Sequence, residues 1–313
     1  MSGLVAPRQQ WVDVSRGLGI ILVVYGHILF AHFGSDQPAW VKAQVAFIYA
    51  FHMPLFFMLS GFFLWSSMDR DGFLRSRLSQ LIYPYLLWSL VTVTLEIVLA
   101  RYVNSPLAMR DALLIPFVPL EQFWFLYALL VCQLVALLVY PSKLLLILGA
   151  ILGTILLALV DGEWIVIRSL QYLPFVVLGI VGKSAFEELA RSSRLRQLIV
   201  AGVTWAVFAL LWVSGMHWPA FVFGALGGVG TVAFAMLVAR SSALGALGRA
   251  SLAIYLLHTI FSAGTRIGLN LFGFPPSSLT SVALSVIAGI ALPFAVWEWA
   301  RRYNRTKLLG FGS

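Results

Sequence analysis

One cysteine, Cys132, stands in 313 residues. It excludes any intrachain disulfide, and because it lies within an apolar run it carries no signal about redox compartment. Charge is scarce as well: 11% of residues are Asp, Glu, Lys or Arg, against about 25% in soluble globular chains. That deficit excludes a water-soluble domain. Acidic residues number 12 against 21 basic ones, for a net charge of +9. The basic residues punctuate apolar runs instead of clustering on one face, so no nucleic-acid-binding surface is expected. No internal repeat and no low-complexity tail stand out. The first apolar run has no small-residue cleavage site and is expected to be retained as a span rather than removed as a signal peptide.

What is abundant is apolar. Hydrophobic residues make up 61% of the chain, and the mean hydropathy is +0.93. A spanning helix needs about 20 mostly apolar residues at roughly 1.5 Å each to cross a hydrocarbon core of about 30 Å. Backbone amides in lipid have no water to bond, which leaves helices or a closed barrel. Barrel strands alternate over about ten residues, whereas these runs are continuously apolar. The sequence therefore predicts an all-α polytopic membrane protein of about ten spans. They fall near 17–33, 45–65, 78–102, 121–140, 143–160, 164–182, 198–214, 218–239, 248–270 and 279–300. Eight or eleven spans would require one marginal run to be misread. The connections are short, so residues 1–313 are expected to form one integral-membrane domain with no appended soluble domain. The longest outer connection, near Val103–Leu120, carries Pro106, Pro116 and Pro119.

Orientation follows from the basic residues. With the N-terminus inside, the inner set is Arg8, Arg16, Arg70, Arg75, Arg77, Lys143, Lys183, Arg191, Arg194, Arg196, Arg240, Arg249, Arg301, Arg302, Arg305 and Lys307. Only Lys42, Arg101, Arg110, Arg168 and Arg266 remain outside. This bias predicts that both termini are cytoplasmic.

Ionisable groups deep in lipid cost roughly 2.5–3.5 kcal/mol on insertion scales, so each is a functional candidate. His27, His52, His258 and Arg266 fall within predicted spans. Arg16 and His27 are eleven residues apart, which at about 100° per residue leaves them on one face, about 16 Å apart along the axis. Asp13, three residues before Arg16, is within pairing distance if the helix begins that early. His52, His27 and His258 all fall near one depth. The competing reading for any single histidine is a helix–helix hydrogen bond. For Arg75, Arg77, Arg249, Arg301 and Arg302 it is anchoring at the inner surface, and for Trp124 and the other aromatics it is core or interfacial packing. Glu96 and Glu121 fall near the outer boundary, where a carboxylate stays hydrated.

The stretch SRGLGIILVVYGH, Ser15 to His27, resembles the opening helix of the membrane acyltransferase-3 family, in which an arginine, ten residues and a histidine recur. FHMPLFFMLSGF from Phe51 resembles that family's second-span signature, and FLRSRLSQLIYPYLLWS from Phe73 its basic loop and proline-bearing third span. WFLYAL at Trp124, YLPFVVLG at Tyr172 and GRASLAIYLLH ending at His258 follow in the same order. The stretch HTIFSAGTRI is similar to the branch that includes fucose O-acetylase-like proteins. One position departs: many members carry two arginines three apart in the basic loop, taken as a CoA contact. Here Arg77 is followed three residues later by Gln80 and preceded by Arg75.

The resemblance implies a bacterial inner-membrane enzyme moving an acyl group, most often acetyl, from cytoplasmic acetyl-CoA or another short acyl-CoA to a hydroxyl of a glycan or lipid-linked sugar, with no metal. It implies His27 as general base or as acyl acceptor, with Asp13 orienting Arg16 and His52 as a second catalytic or orienting group. Arg16, Arg75 and Arg77 would meet CoA phosphates, and His258, Arg266, Trp124 and Glu121 the acceptor. The alternative is a proton-coupled transporter or flippase for an anionic or glycolipid substrate, which buried His and Arg groups in a ten-span bundle would equally suit. A non-catalytic membrane scaffold would leave the histidines unexplained.

Overall fold

The computed structural model describes residues 9–34, 37–101, 109–159 and 165–312, and among them every regular element is helical. Seven helices are long and apolar enough to cross a membrane. These are α1 (Gln10–Phe33), the paired α2 (Ala39–Tyr49) and α3 (His52–Leu64), α4 (Phe73–Val98), α9 (Arg194–Val213), α10 (Ala220–Leu237), α12 (Ser251–Leu271) and α13 (Leu279–Arg302). Three shorter apolar stretches, Trp124–Leu138, Lys143–Ile155 and Arg168–Val181, fall where the fourth to sixth spans are expected. They contain α5 (Trp124–Leu138), most of α6 (Lys143–Leu159) and α7 (Leu173–Val181). Two amphipathic helices, α8 (Lys183–Arg191) and α11 (Ser242–Arg249), lie between spans. The molecule is an integral membrane protein, since helices of this length and apolarity have no other solvent in which to expose Leu144, Leu148, Ile151 and Leu210.

Two spans differ from plain rods. The second is broken between α2 and α3, where Phe51 leaves helical geometry at φ −140°. The ring of His52, the first residue of α3, reaches back across this break: its Nδ1 lies 2.8 Å from the Ile48 oxygen, which also accepts from the Phe51 N–H at 3.2 Å. The third span carries a π-turn over Leu78–Ile82, a feature that re-aims side chains and often marks functional sites.

Close approach between helices rests on glycine, as expected where lipid removes a hydrophobic driving force and small residues let backbones touch. A Cβ on Gly61 of α3 would lie 2.1 Å from the Val176 oxygen of α7, and one on Gly179 would lie 2.0 Å from the Met58 oxygen. The same device joins α1 to α11. A Cβ on Gly17 would meet the Leu244 oxygen at 2.2 Å, and one on Gly248 the Asp13 oxygen at 1.7 Å. This second contact brings Arg16, which follows Asp13 by one turn, to the neighbourhood of Arg249.

Candidate active site

A cavity of about 360 Å³ opens among α1, α3, α4, α5 and α12. Its polar lining includes Arg16, Arg77, Arg249, Gln80, Ser60 and Gln133; its apolar lining includes Ile20, Val23, Met53, Phe125 and Leu129. On α1 the residues Arg16, Ile20 and Val23 form one stripe at helical spacing, and His27 is the next member of it. The cavity therefore extends from the guanidinium groups to Val23 and Tyr255, each one turn short of a histidine, and neither His27 nor His258 lines it. Gln80 and Leu81 enter it from the π-turn of α4. The Arg77 guanidinium lies over the Phe73 ring at 5.2 Å, and its Nε is buried without a hydrogen-bond partner. On the opposite wall, Gln133 Nε2 donates to Ser60 Oγ at 3.1 Å.

The three histidines expected at one depth are brought together. The rings of His27 and His258 meet edge to face, with centroids 5.1 Å apart. Tyr49 bridges to the third, lying 6.1 Å from His27 and 4.9 Å from His52. His52 and His258 are buried, whereas His27 is only half-buried. Hydrogen bonding fixes two of the tautomers. His258 Nδ1 lies 2.8 Å from the Tyr255 oxygen and 3.2 Å from that of Ile254. A ring nitrogen facing carbonyl oxygens carries the proton, so His258 presents its Nε2 as a lone pair, and that atom is buried with no hydrogen-bond partner. The same reasoning gives His52 a proton on Nδ1 and a lone pair on Nε2.

Around His258 a short chain of hydrogen bonds forms, although Gln122 Oε1 is buried without a partner. The Tyr255 hydroxyl donates to the Gln122 carbonyl, and Gln122 Nε2 donates to Thr259 Oγ1 at 2.9 Å. Neither Gln122 nor Thr259 stands out in the sequence, because neither is ionisable and each neighbours a residue that is.

The remaining expected residues divide. Arg75 is exposed and does not line the cavity, whereas Arg249, expected to be an anchor, does line it. Asp13 is buried one turn before Arg16. Trp124 packs on the Tyr172 ring at 5.1 Å, in an aromatic group with Phe125 and Phe57. The Glu121 side chain lies outside the described residues. Arg266 sits in the C-terminal half of α12, two turns beyond His258. His32, which drew no notice in the sequence, is buried, with Nε2 3.1 Å from Ser285 Oγ and Nδ1 2.9 Å from the Ile28 oxygen. Among the described residues no group of three or more His, Cys, Asp or Glu is arranged to hold a metal ion.

The profile of a family described as an acyltransferase domain, the membrane acyltransferase-3 family, matches residues 9–298. The chain belongs to that family. Two curated relatives carry the name nodulation protein NolL. The one from Sinorhizobium fredii is 29% identical over 207 residues, covering 64% of this chain and 56% of the relative. The one from Mesorhizobium japonicum is 30% identical over 121 residues, covering 37% of this chain and 32% of the relative. The chain thus spans about half or less of the length of the curated relatives it matches. No solved structure matches. Membership in the acyltransferase family gives the arginine-lined cavity a chemical context, that of an acyl donor and an acyl acceptor.

Proposed function

We propose that the protein is an O-acyltransferase of the bacterial inner membrane that moves an acyl group, acetyl in the first instance, from cytoplasmic acyl-CoA to a hydroxyl of an envelope or exported glycan. The observation that carries this reading is a cavity lined by Arg16, Arg77 and Arg249 and by Ile20 and Val23 of the stripe whose next member is His27. Guanidinium groups pair with phosphate oxygens through planar, charge-assisted hydrogen bonds. The three arginines would hold the CoA phosphates at the inner mouth, with Asp13 positioning Arg16. The acyl-bearing arm would then lie along Ile20 and Val23, with its thioester near His27.

A sugar hydroxyl is a poor nucleophile, and an imidazole that takes its proton typically contributes about 10²–10⁴-fold. His27, one turn along α1 beyond Val23 of the cavity wall, is assigned that role. In direct transfer, the hydroxyl oxygen bonds the acyl carbon as the C–S bond breaks. The hydroxyl proton passes to His27 and then to the departing CoA thiolate, leaving ester and free thiol. In the two-step version, a His27 nitrogen bonds the acyl carbon as the C–S bond breaks and CoA thiolate leaves; the hydroxyl oxygen then displaces the imidazole, and its proton passes to the thiolate, leaving ester, free thiol and neutral His27. Both versions place positive charge on the His27 ring, and the unpartnered Nε2 lone pair of His258 stabilises an N–H of that imidazolium. His52 orients the group through Tyr49. Arg266, with His32 and Ser285 on the outer half, faces the acceptor side.

The test is turnover of acetyl-CoA by the purified protein in detergent or nanodiscs, with His27→Ala and Arg16→Ala beside the wild type. The expected result is saturable CoA binding weakened in Arg16→Ala and turnover lowered by about 10²–10⁴-fold in His27→Ala with binding retained. Full turnover in a folded His27→Ala protein would overturn the assignment. Absence of any interaction with short acyl-CoAs would favour the transporter reading.

A further inference from the structure

Beyond residue 298, where the family match ends, the chain does not leave the bundle. After α13 it turns back at Asn304, which adopts a left-handed φ of 54°. It then forms a compact strap closed by Arg305 N–H to the Ala300 oxygen at 2.7 Å and Phe311 N–H to the Thr306 oxygen at 2.9 Å. The strap is fastened to α4 at successive points. The Tyr83 hydroxyl donates to the Leu308 oxygen at 2.6 Å, and Trp88 Nε1 donates to the Leu309 oxygen at 2.9 Å. Gly310, at φ 70°, lies so close to Pro84 that a Cβ there would sit 2.8 Å from the proline Cβ. Phe311 then stacks on Trp88, with centroids 5.9 Å apart and planes 10° from parallel.

This path has a consequence for the cavity. Trp88 is eleven residues along α4 from Arg77, about 16 Å further from the inner surface. The strap therefore re-enters the inner half of the bundle. Phe311, only 6% exposed, and Gly312 form part of the cavity wall. Re-entrant backbone is tolerated at such depth only where protein surrounds it and satisfies its carbonyls, which the Tyr83 and Trp88 donors do.

We propose that Phe311 is a donor-binding residue: its ring forms the wall against which the uncharged pantetheine arm of the acyl-CoA packs, between the arginines that hold the phosphates and the histidines that meet the thioester. The inference rests on the acyl-CoA reading above. Tyr83 and Trp88 act through Phe311 as positioning residues.

The test uses cysteine protection in the full chain. Cys132, the one native thiol, is fully buried and is expected to stay unlabelled. Phe311→Cys, Gln80→Cys on the facing wall and Lys307→Cys on the exposed part of the strap are treated with a maleimide, with and without CoA. Slowing by CoA of about tenfold at both Phe311→Cys and Gln80→Cys, with no change at Lys307→Cys, is expected. Protection at Gln80→Cys alone would overturn the role of Phe311 and leave the donor cavity standing. Protection at neither would overturn both. Tyr83→Phe removes one hydroxyl from an exposed ring and does not depend on tolerance at position 311. It is expected to raise KM for acetyl-CoA several-fold while leaving KM for the acceptor unchanged. An unaltered donor KM would count against the inference.

Discussion

At the scale of single residues, the sequence identified ionisable groups by the cost of burying them, and that criterion works best for charge-bearing side chains. It placed His27, His52 and His258 at one depth because helical rise converts residue number into distance along an axis. It could not rank them. The structure separates them by hydrogen bonding: His52 is tied to the carbonyl of a broken helix, whereas His258 keeps a buried, unpartnered Nε2 against the His27 ring. If His27 and His258 act as a unit, removing either costs nearly as much as removing both. His27→Ala and His258→Ala are each expected to lower turnover by about 10²–10⁴-fold, with the double variant little worse than the poorer single one. A double-mutant cycle on initial rates measures this, and additive losses would assign the two rings to separate steps.

At the scale of elements, the seven long spans were legible as apolar runs, because crossing the hydrocarbon takes about 20 mostly apolar residues. The break at Phe51 and the π-turn at Leu78–Ile82 were not, because both keep the hydrophobic pattern and alter only backbone geometry. The glycines mark where elements touch. Gly61→Ala is expected to push α3 from α7, since its new methyl would lie 2.1 Å from a backbone oxygen that no rotamer change can move. Overpacking of this kind costs about 1–3 kcal/mol. The control is Gly149→Ala in α6, where a Cβ meets nothing within 4 Å. There the gain in helix propensity, about 0.5–1 kcal/mol, predicts equal or higher stability. Thermal denaturation of the two purified variants reads the difference, and an equal effect would mean that α3 and α7 do not pack this closely in the membrane.

At the scale of the whole molecule, the distribution of Lys and Arg predicts both termini in the cytoplasm. A membrane-impermeant maleimide on intact cells is expected to modify Lys42→Cys and to spare Arg75→Cys, and the reverse pattern would invert the topology. Orientation of this sort is readable from sequence because loop charge acts on each span locally during insertion. Composition likewise determined that the chain is helical and lives in a membrane, and the ordered motifs from Ser15 to His258 determined its resemblance to the acyltransferase-3 family. Periodicity on α1 alone put Arg16 and His27 on one stripe. Only the tertiary structure decided which stripe each helix turns toward which neighbour. It set His258 against His27, drew Arg249 into the cavity through the Gly248 contact, left Arg75 outside it, and folded Phe311 back onto Trp88. The reason is geometric. A helix converts sequence spacing into height and angle about its own axis, but the azimuth of one helix against another is set by packing between residues far apart in the chain.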